Sequence, residues 1–87
     1  MASGRRVAVG GMLITRQRPP TAKGMCFISL EDETGIANLV VPPDVYERHR
    51  RDIHAALFIV GEGVLERTGK VLNVKTQRVV ALEGLLR

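Results

Sequence analysis

Two proline pairs and two glycine-containing turns divide this chain into short segments, and they limit its fold more than any other feature. Pro19-Pro20 and Pro42-Pro43 each interrupt an apolar stretch, and a proline pair cannot donate hydrogen bonds to a sheet ladder. Asp32–Gly35 and Thr68–Lys70 have the composition of tight turns. At 87 residues, the chain has room for one small domain and none for separate cofactor and substrate lobes.

The segments between these breaks predict five strands and one helix, in the order β-β-β-α-β-β. The helix is predicted from Asp44 to about Ala56, where Val45, His49 and Ile53 share one face. Gly10-Gly11, inside the first predicted strand, indicates a bulge or sharp coiling there. The strands are predicted over residues 5–16, 25–31, 36–41, 57–67 and 71–80.

We therefore expect an all-β fold, a five-stranded OB-fold barrel with one short helix between the third and fourth strands. Residues 1–87 would form this single domain. An SH3-like barrel is the alternative, but it normally carries no helix at that position. The helix after the third strand and the glycine-interrupted first strand favour the OB barrel.

The second predicted strand shows the clearest division between its two faces. Cys26, Ile28 and Leu30 alternate with Phe27, Ser29 and Glu31. Because Ser29 and Glu31 would be poor core residues, we expect the apolar set to face inward and Phe27 to face outward. On the outer face of an OB barrel an aromatic side chain can stack on a nucleic-acid base. The alternative is that Phe27 packs beneath a loop or a neighbouring domain.

Polar residues in two further strands extend this outer face. Asn38 interrupts the apolar third strand and would reach a base edge if it points outward, whereas a buried Asn38 would need a partner. In the fifth strand, polar Asn73, Lys75 and Gln77 alternate with Leu72, Val74 and Thr76. These patterns predict a polar outer surface beside Phe27, with Ser29, Asn38, Asn73 and Lys75 as candidate contacts to nucleic acid.

The positive charge is concentrated in the first third of the chain. The net charge is +4, and residues 1–30 hold five Lys or Arg side chains without an acidic one. Such a one-sided field attracts polyanions, although +4 alone is also ordinary solubilising charge. We predict that Arg16, Arg18 and Lys23 flank the binding groove as phosphate contacts, and that Lys70 stands at its other side.

No residue pattern predicts a catalytic, metal or cofactor site. Cys26 is the single cysteine and is expected to be a core thiol. His49 and His54 lie five residues apart on the predicted helix and do not share a face. Adjacent Asp32 and Glu33 are expected to be turn residues. We expect no cofactor, no small-molecule substrate and no enzymatic activity from this chain alone.

The hydropathy pattern predicts a chain without membrane contact. No run of 18 apolar residues occurs, and the N-terminus lacks the apolar segment of a signal peptide. We therefore expect a cytoplasmic domain.

Two stretches resemble a known family. Arg16–Gly24 and Phe27–Val41 are similar to the C-terminal OB domain of bacterial C-family DNA polymerases, above all the error-prone branch used in damage-tolerant synthesis. Pro43–Arg48 resembles the start of that family's helix, and the resemblance extends over residues 5–82.

The resemblance implies an OB fold that binds single-stranded DNA beside the polymerase body. It also implies base-stacking and backbone-contact roles for Phe27, Asn38, Arg16, Arg18 and Lys23. The polymerase's catalytic carboxylates lie in sequence that this chain does not contain.

Two alternatives remain open at this point. The domain could dock onto a polymerase subunit or accessory factor, with Phe27 and Met12 as anchors. It could also bind RNA, because Phe27–Asp32 and Gly35–Asn38 resemble the anticodon-binding OB domain of class II aminoacyl-tRNA synthetases.

Overall fold

In the computed structural model, which describes residues 4–69 and 71–82, five strands close into a barrel. The predicted all-β OB barrel and the predicted element order are confirmed. The elements are β1 (Arg6–Gln17), a short 3-10 turn (Pro20–Ala22), β2 (Cys26–Asp32), β3 (Gly35–Val41), α1 (Pro43–Ala55), β4 (Phe58–Thr68) and β5 (Val71–Ala81).

The strand order around the barrel is β1-β2-β3-β5-β4. Strand β3 pairs with β5 in parallel, from Ala37–Val40 to Leu72–Lys75, while the other neighbours pair antiparallel. The connection between β3 and β4 carries α1. Closure gives every strand a neighbour on each side. The closed sheet therefore has an inner face, which surrounds the core, and an outer face.

The core contains apolar side chains from all five strands and from α1. Val45, Tyr46 and Ile53 are the buried residues of the helix. His49, which the sequence placed on this stripe, is only half-buried. Its backbone is non-helical (φ −116°, ψ 15°), and this kink breaks the 3.6-residue period on which the stripe was predicted. The largest fully buried side chains of the strands include Ile28, Leu30, Leu39, Ile59, Leu65 and Val74.

None of the helices in the described part of the chain has the length and apolar composition that crossing a membrane would require.

Strand β1 changes partners halfway along its length. Met12 is paired with Phe58 of β4 on one side and with Glu31 of β2 on the other. The bulge predicted at Gly10-Gly11 is instead found at Ile14, where the register shifts between Leu13 and Thr15. Gly11 instead allows β1 to pass close to β2, since a Cβ at Gly11 would lie 2.7 Å from the Glu31 carbonyl oxygen.

Strand β4 also depends on glycine for its close packing. A Cβ at Gly63 would lie 2.0 Å from the Lys75 carbonyl oxygen, and one at Gly61 would lie 2.6 Å from the Leu39 side chain. Opposite Gly63, the β5 register shifts by one residue at Gln77. These two glycines therefore let β4 lie against β5 and the core.

The turn between β2 and β3 sets the register of the central hairpin. The backbone N–H and the hydroxyl of Thr34 both donate to Asp32 Oδ1, at 2.8 Å and 2.6 Å. Gly35 supplies the predicted positive φ, at 133°. Asp32 is thereby paired with Gly35 and Ser29 with Asn38, and a slip of one residue would turn every outward side chain inward.

We expect Gly63→Ala to destabilise the barrel by more than about 3 kcal/mol, the upper end of the usual cost of overpacking. The reason is that the Lys75 carbonyl cannot move aside without breaking the β4–β5 ladder. Gly10→Ala is the matched control, because its new methyl group meets a Val60 side-chain carbon at 3.1 Å and comes no closer than 3.6 Å to a backbone atom, the Ile59 carbonyl oxygen. Urea unfolding of both variants provides the measurement, and equal stability of the two would contradict this account.

We expect the Asp32 turn to lose its contribution to stability in acid. Hydrogen bonds from Thr34 lower the pKa of Asp32 below its usual range. The contribution is therefore present above the unfolded-state pKa of about 3.9 and is lost as pH falls through the folded value. Urea unfolding of the unmodified protein and Asp32→Ala should differ at pH 7 and converge towards pH 2. Glu33→Ala, in the same turn, is the control, and a difference independent of pH would refute the role of Asp32.

Candidate nucleic-acid interface

A groove crosses the outer face of β2, β3 and β5, with one wall from β4. It has a volume of about 510 Å³ and is lined by Phe27, Asn38, Val40, Glu66, Asn73 and Lys75. Phe27 is 39% exposed, whereas its neighbours Cys26 and Ile28 are 1% and 0% exposed. The predicted outward orientation of Phe27 is confirmed, and no loop covers it among the described residues.

The strand register arranges the groove in two rows of side chains. Phe27 is paired with Val40, which is paired with Lys75 of β5. In the adjacent row, Ser29 is paired with Asn38, which is paired with Asn73. Because directly paired residues point to the same face of a sheet, each row forms a continuous strip across three strands.

Asn38 is fixed in orientation by Ser29. The Ser29 hydroxyl donates to Asn38 Oδ1 at 3.1 Å. The side-chain amide nitrogen of Asn38 has no hydrogen-bond partner within the described part of the chain, and it carries two N–H donors. Asn38 therefore points outward, as predicted, and presents donors to the groove.

The groove combines an apolar surface with few charges. Phe27 and Val40 supply the apolar surface, and Asn38 and Asn73 supply amide groups. Lys75 and Glu66 carry opposite charges, so the groove lining is electrically balanced. An apolar platform next to amide groups is chemically suited to a planar, hydrogen-bonding group such as a nucleic-acid base.

Arg16 and Arg18 do not line this groove. After the bulge at Ile14, Arg16 is paired with Ile28, whose side chain faces the core. Both arginines line a separate cleft of about 160 Å³ at the barrel end beside α1. The remaining lining residues of this Arg16–Arg18 cleft are Gln17, Cys26, Tyr46 and His54.

Arg18 is held in the cleft by an aromatic ring. Its guanidinium carbon lies 4.1 Å from the centroid of the Tyr46 ring, a cation–π contact. Tyr46 is itself 2% exposed, and its hydroxyl is hydrogen-bonded to His54 Nε2. The His54 ring lies edge-on to the Tyr46 ring, with centroids 5.8 Å apart.

Cys26 lies at the base of the cleft as a buried free thiol, as the sequence predicted. Burial raises the pKa of the Cys26 thiol, and the positive charges of Arg18 and Arg16 oppose that rise. Cys26 is thus kept in its neutral form at pH 7, in which it is a poor nucleophile.

The other predicted basic and polar contacts are dispersed. Lys23 is exposed in the loop before β2, with a left-handed backbone (φ 54°), and it lines neither the groove nor the cleft. Gln77 accepts a hydrogen bond from Arg6 at 2.6 Å, and it does not line the groove. Lys70 lies outside the described residues.

Titratable side chains do not gather into a metal site within residues 4–69 and 71–82. Burial and the charge of Arg48 lower the pKa of His49, and His54 is engaged by Tyr46.

Sequence reasoning overlooked several residues of these two surfaces. Val40 could have been found from Asn38, because residues two apart on a strand share a face. Glu66 and the Tyr46–Arg18 stack could not have been found from the sequence, since both depend on contacts between elements that are distant along the chain.

Comparison with known proteins places this geometry in a family. Residues 7–83 match the tRNA anti-codon family, an OB-fold nucleic acid binding domain. The chain is 58% identical over 76 residues to an error-prone DNA polymerase of Anaeromyxobacter dehalogenans (strain 2CP-C), covering 87% of this chain and 7% of that protein. It is 43% identical over 86 residues to the error-prone DNA polymerase of Pseudomonas aeruginosa, covering 99% of this chain and 8% of that protein.

The chain therefore spans less than a tenth of the length of these polymerases. Among solved structures, it resembles asparaginyl-tRNA synthetase from Pyrococcus horikoshii, with a TM-score of 0.73 at 20% identity over 91% of this chain and 20% of that one. This likeness shows the shared fold. The barrel and the match over residues 7–83 establish that the chain belongs to the family of OB-fold nucleic-acid-binding domains.

Proposed function

We propose that this domain binds single-stranded DNA in the groove on β2, β3 and β5. The observation that carries the proposal is the exposed Phe27 ring, placed beside Asn38, Asn73 and Lys75 on a three-strand surface. The similarity to a region of error-prone DNA polymerases supports DNA as the ligand and replication of damaged templates as the setting.

In this proposal the groove binds one unpaired base against Phe27. A base in a single strand has an accessible π-face, and stacking on an aromatic ring does not depend on base identity. The amide groups of Asn38 and Asn73 and the hydroxyl of Ser29 meet the base edge or the sugar, and Lys75 meets a phosphate. Glu66 can accept a hydrogen bond from an exocyclic amino group, such as the cytosine N4.

Binding at this groove alone is weak and tolerant of sequence. The groove has a single aromatic ring, and its Lys75 charge is offset by Glu66. We therefore propose that the domain acts as part of a longer polymerase chain, in which it holds the template strand while the chemical step takes place elsewhere. Tethering to a larger DNA-binding protein raises the effective concentration of the strand at the groove.

A protein partner is the second candidate, and exposed apolar residues on β1 favour it. Met12 and Ile14 are 47% and 45% exposed, and Leu57, before β4, is 68% exposed. Met12 is paired with Phe58 and Glu31, away from the row that contains Phe27. A docking function would use Met12, whose ladder partner Glu31 lies on the same outward face of β2 as Phe27, four residues along the strand.

We expect Phe27→Ala to weaken binding of a labelled single-stranded DNA 12-mer by about 5- to 150-fold, which corresponds to about 1–3 kcal/mol per stacked base. Fluorescence anisotropy at fixed salt is the measurement. Phe58→Ala is the matched control, because Phe58 is a phenylalanine of similar exposure (42%) on the β1–β4 side. Phe58→Ala should leave the dissociation constant for DNA within about twofold of that of the unmodified protein. This control shows what truncating an exposed ring costs outside the groove.

Equal DNA affinity of Phe27→Ala and the unmodified protein would overturn the groove as the binding site. Melting temperatures of both variants must be compared first, so that unfolding is not mistaken for lost binding. A matched RNA 12-mer that binds more tightly than DNA would assign the groove to RNA instead.

A further inference from the structure

A row of exposed apolar side chains crosses four strands on the outer face of the barrel. Ile36 of β3 is paired with Glu31 of β2, Glu31 with Met12 of β1, and Met12 with Phe58 of β4. Because directly paired residues point to the same face of a sheet, these residues form one continuous strip, which we call the Met12 row. Ile36, Met12 and Phe58 are 58%, 47% and 42% exposed.

Leu57 widens this apolar surface. The Leu13 N–H donates to the Leu57 carbonyl oxygen at 2.8 Å, which places Leu57 beside β1 and directly before Phe58. Leu57 is also exposed. Apolar residues that are scattered singly over a surface are ordinary, whereas a contiguous exposed group marks a surface that binds a partner. The Met12 row therefore has the character of a docking surface.

Glu31 determines which charge that partner carries. Its side chain is exposed between Ile36 and Met12, and it forms no ion pair within residues 4–69 and 71–82. Burial of an unpaired carboxylate is costly. An occupant that covers the row must therefore supply a cation opposite Glu31.

The same carboxylate disfavours two other occupants. A nucleic-acid backbone would bring phosphates next to Glu31, and juxtaposed like charges suppress binding. A second copy of this chain in a two-fold interface would present the same surface, so it would bring a second Glu31 into the contact and no cation from the row. A protein segment whose apolar side chains flank a lysine or an arginine matches both the apolar surface and its charge.

The row ends beside a cleft that has room for a large side chain of the occupant. Ile36 lines this cleft of about 420 Å³ together with Val9 and Leu72, and Asp32 and Arg67 line it as well. Protein interfaces concentrate their binding energy on a few large side chains that fill such pockets. The cleft and the row together provide an anchor site and an apolar strip next to it.

The Met12 row leaves the DNA groove accessible. Glu31 lies four residues from Phe27 on the outward face of β2, a separation of about 13 Å at the usual rise of a strand. None of the residues that line the groove belongs to the row. A strand of DNA in the groove and a protein segment on the row can therefore be bound at the same time.

We propose that the Met12 row binds a neighbouring segment of a longer polymerase chain, in which apolar side chains flank a lysine or an arginine that pairs with Glu31. This inference rests on the part of the proposed function that makes the domain a region of a longer polymerase, and it does not require DNA at Phe27. Since the chain spans less than a tenth of the length of the related polymerases, most of each related protein lies outside the matching region. Tethering within one chain raises the effective concentration of such a segment at the row.

Hydroxyl-radical footprinting tests the proposal, because exposed methionine and phenylalanine side chains react readily with the radical. The isolated chain is compared with a chimera in which it replaces the matching region of the Anaeromyxobacter dehalogenans (strain 2CP-C) polymerase. Met12 and Phe58 should lose most of their reactivity in the chimera. Phe27 should keep its reactivity there until single-stranded DNA is added. DNA synthesis by the chimera verifies that it is folded.

Charge reversal at Glu31 tests the chemistry of the partner. In the chimera, Glu31→Lys should weaken docking by about 30-fold or more, the usual loss when one member of a buried charge pair is removed. The reactivity of Met12 should then rise towards its value in the isolated chain. Glu33→Lys, in the exposed turn between β2 and β3, is the charge-matched control and should leave Met12 protected.

Equal reactivity of Met12 and Phe58 in the isolated chain and in the chimera would overturn the proposal, as would equal effects of Glu31→Lys and Glu33→Lys. Sedimentation of the isolated chain as a dimer that Met12→Asp abolishes would assign the row to a second copy instead. If the isolated chain binds no DNA while Met12 is protected in the chimera, the groove fails as a DNA site and the row stands.

A peptide probe keeps the proposal falsifiable if the chimera does not fold. The probe is a synthetic peptide in which leucines flank a lysine, and its twin has glutamate in place of the lysine. The lysine peptide should bind the isolated chain more tightly than its twin, and Met12→Asp should abolish this binding. Equal affinity for the two peptides would overturn the choice of a basic partner.

Discussion

Closure of the barrel by the parallel pairing of β3 with β5 is the constraint on which the rest of the structure depends. This pairing places Asn38 beside Asn73 and Val40 beside Lys75, residues that are more than 30 positions apart in the chain. Closure is possible because Gly61 and Gly63 let β4 lie against the core and β5 without a side chain between them. The outer face of three strands, and with it the groove, is a consequence of that geometry.

Closure also separates two kinds of surface at one end of β1. Gln17 and Phe27 lie on the outer side, whereas Arg16 and Arg18 lie towards α1 and the buried Tyr46 ring. The bulge at Ile14 produces this division, because one extra residue shifts the strand's alternation and directs Arg16 to the side of Ile28. The groove lining is nearly neutral and the cleft is lined by two arginines, so apolar surface and positive charge lie on different parts of the barrel.

The sequence predicted what depends on local periodicity. The alternation around Phe27 determined which residues are buried, and the proline pairs and the Asp32–Gly35 turn located the ends of the strands. It did not predict the cleft that Arg16 and Arg18 line beside Tyr46, because a single bulge reverses alternation without a distinctive residue to mark it. The kink at His49 likewise interrupts the helical period on which the buried stripe was predicted. Contacts across the barrel, such as Glu66 with the β3–β5 face, depend on closure and have no local signal.

The central claim is that nucleic acid binds the face of β2, β3 and β5. A titration of the isotopically labelled protein with a short oligothymidylate, followed by backbone amide NMR shifts, tests it most directly. Our account predicts that the largest shifts fall on Phe27, Asn38 and Asn73, while Ala8 and Val60 on the β1–β4 side stay unchanged. Shifts concentrated on Ala8 and Val60, with the groove unaffected, would contradict it.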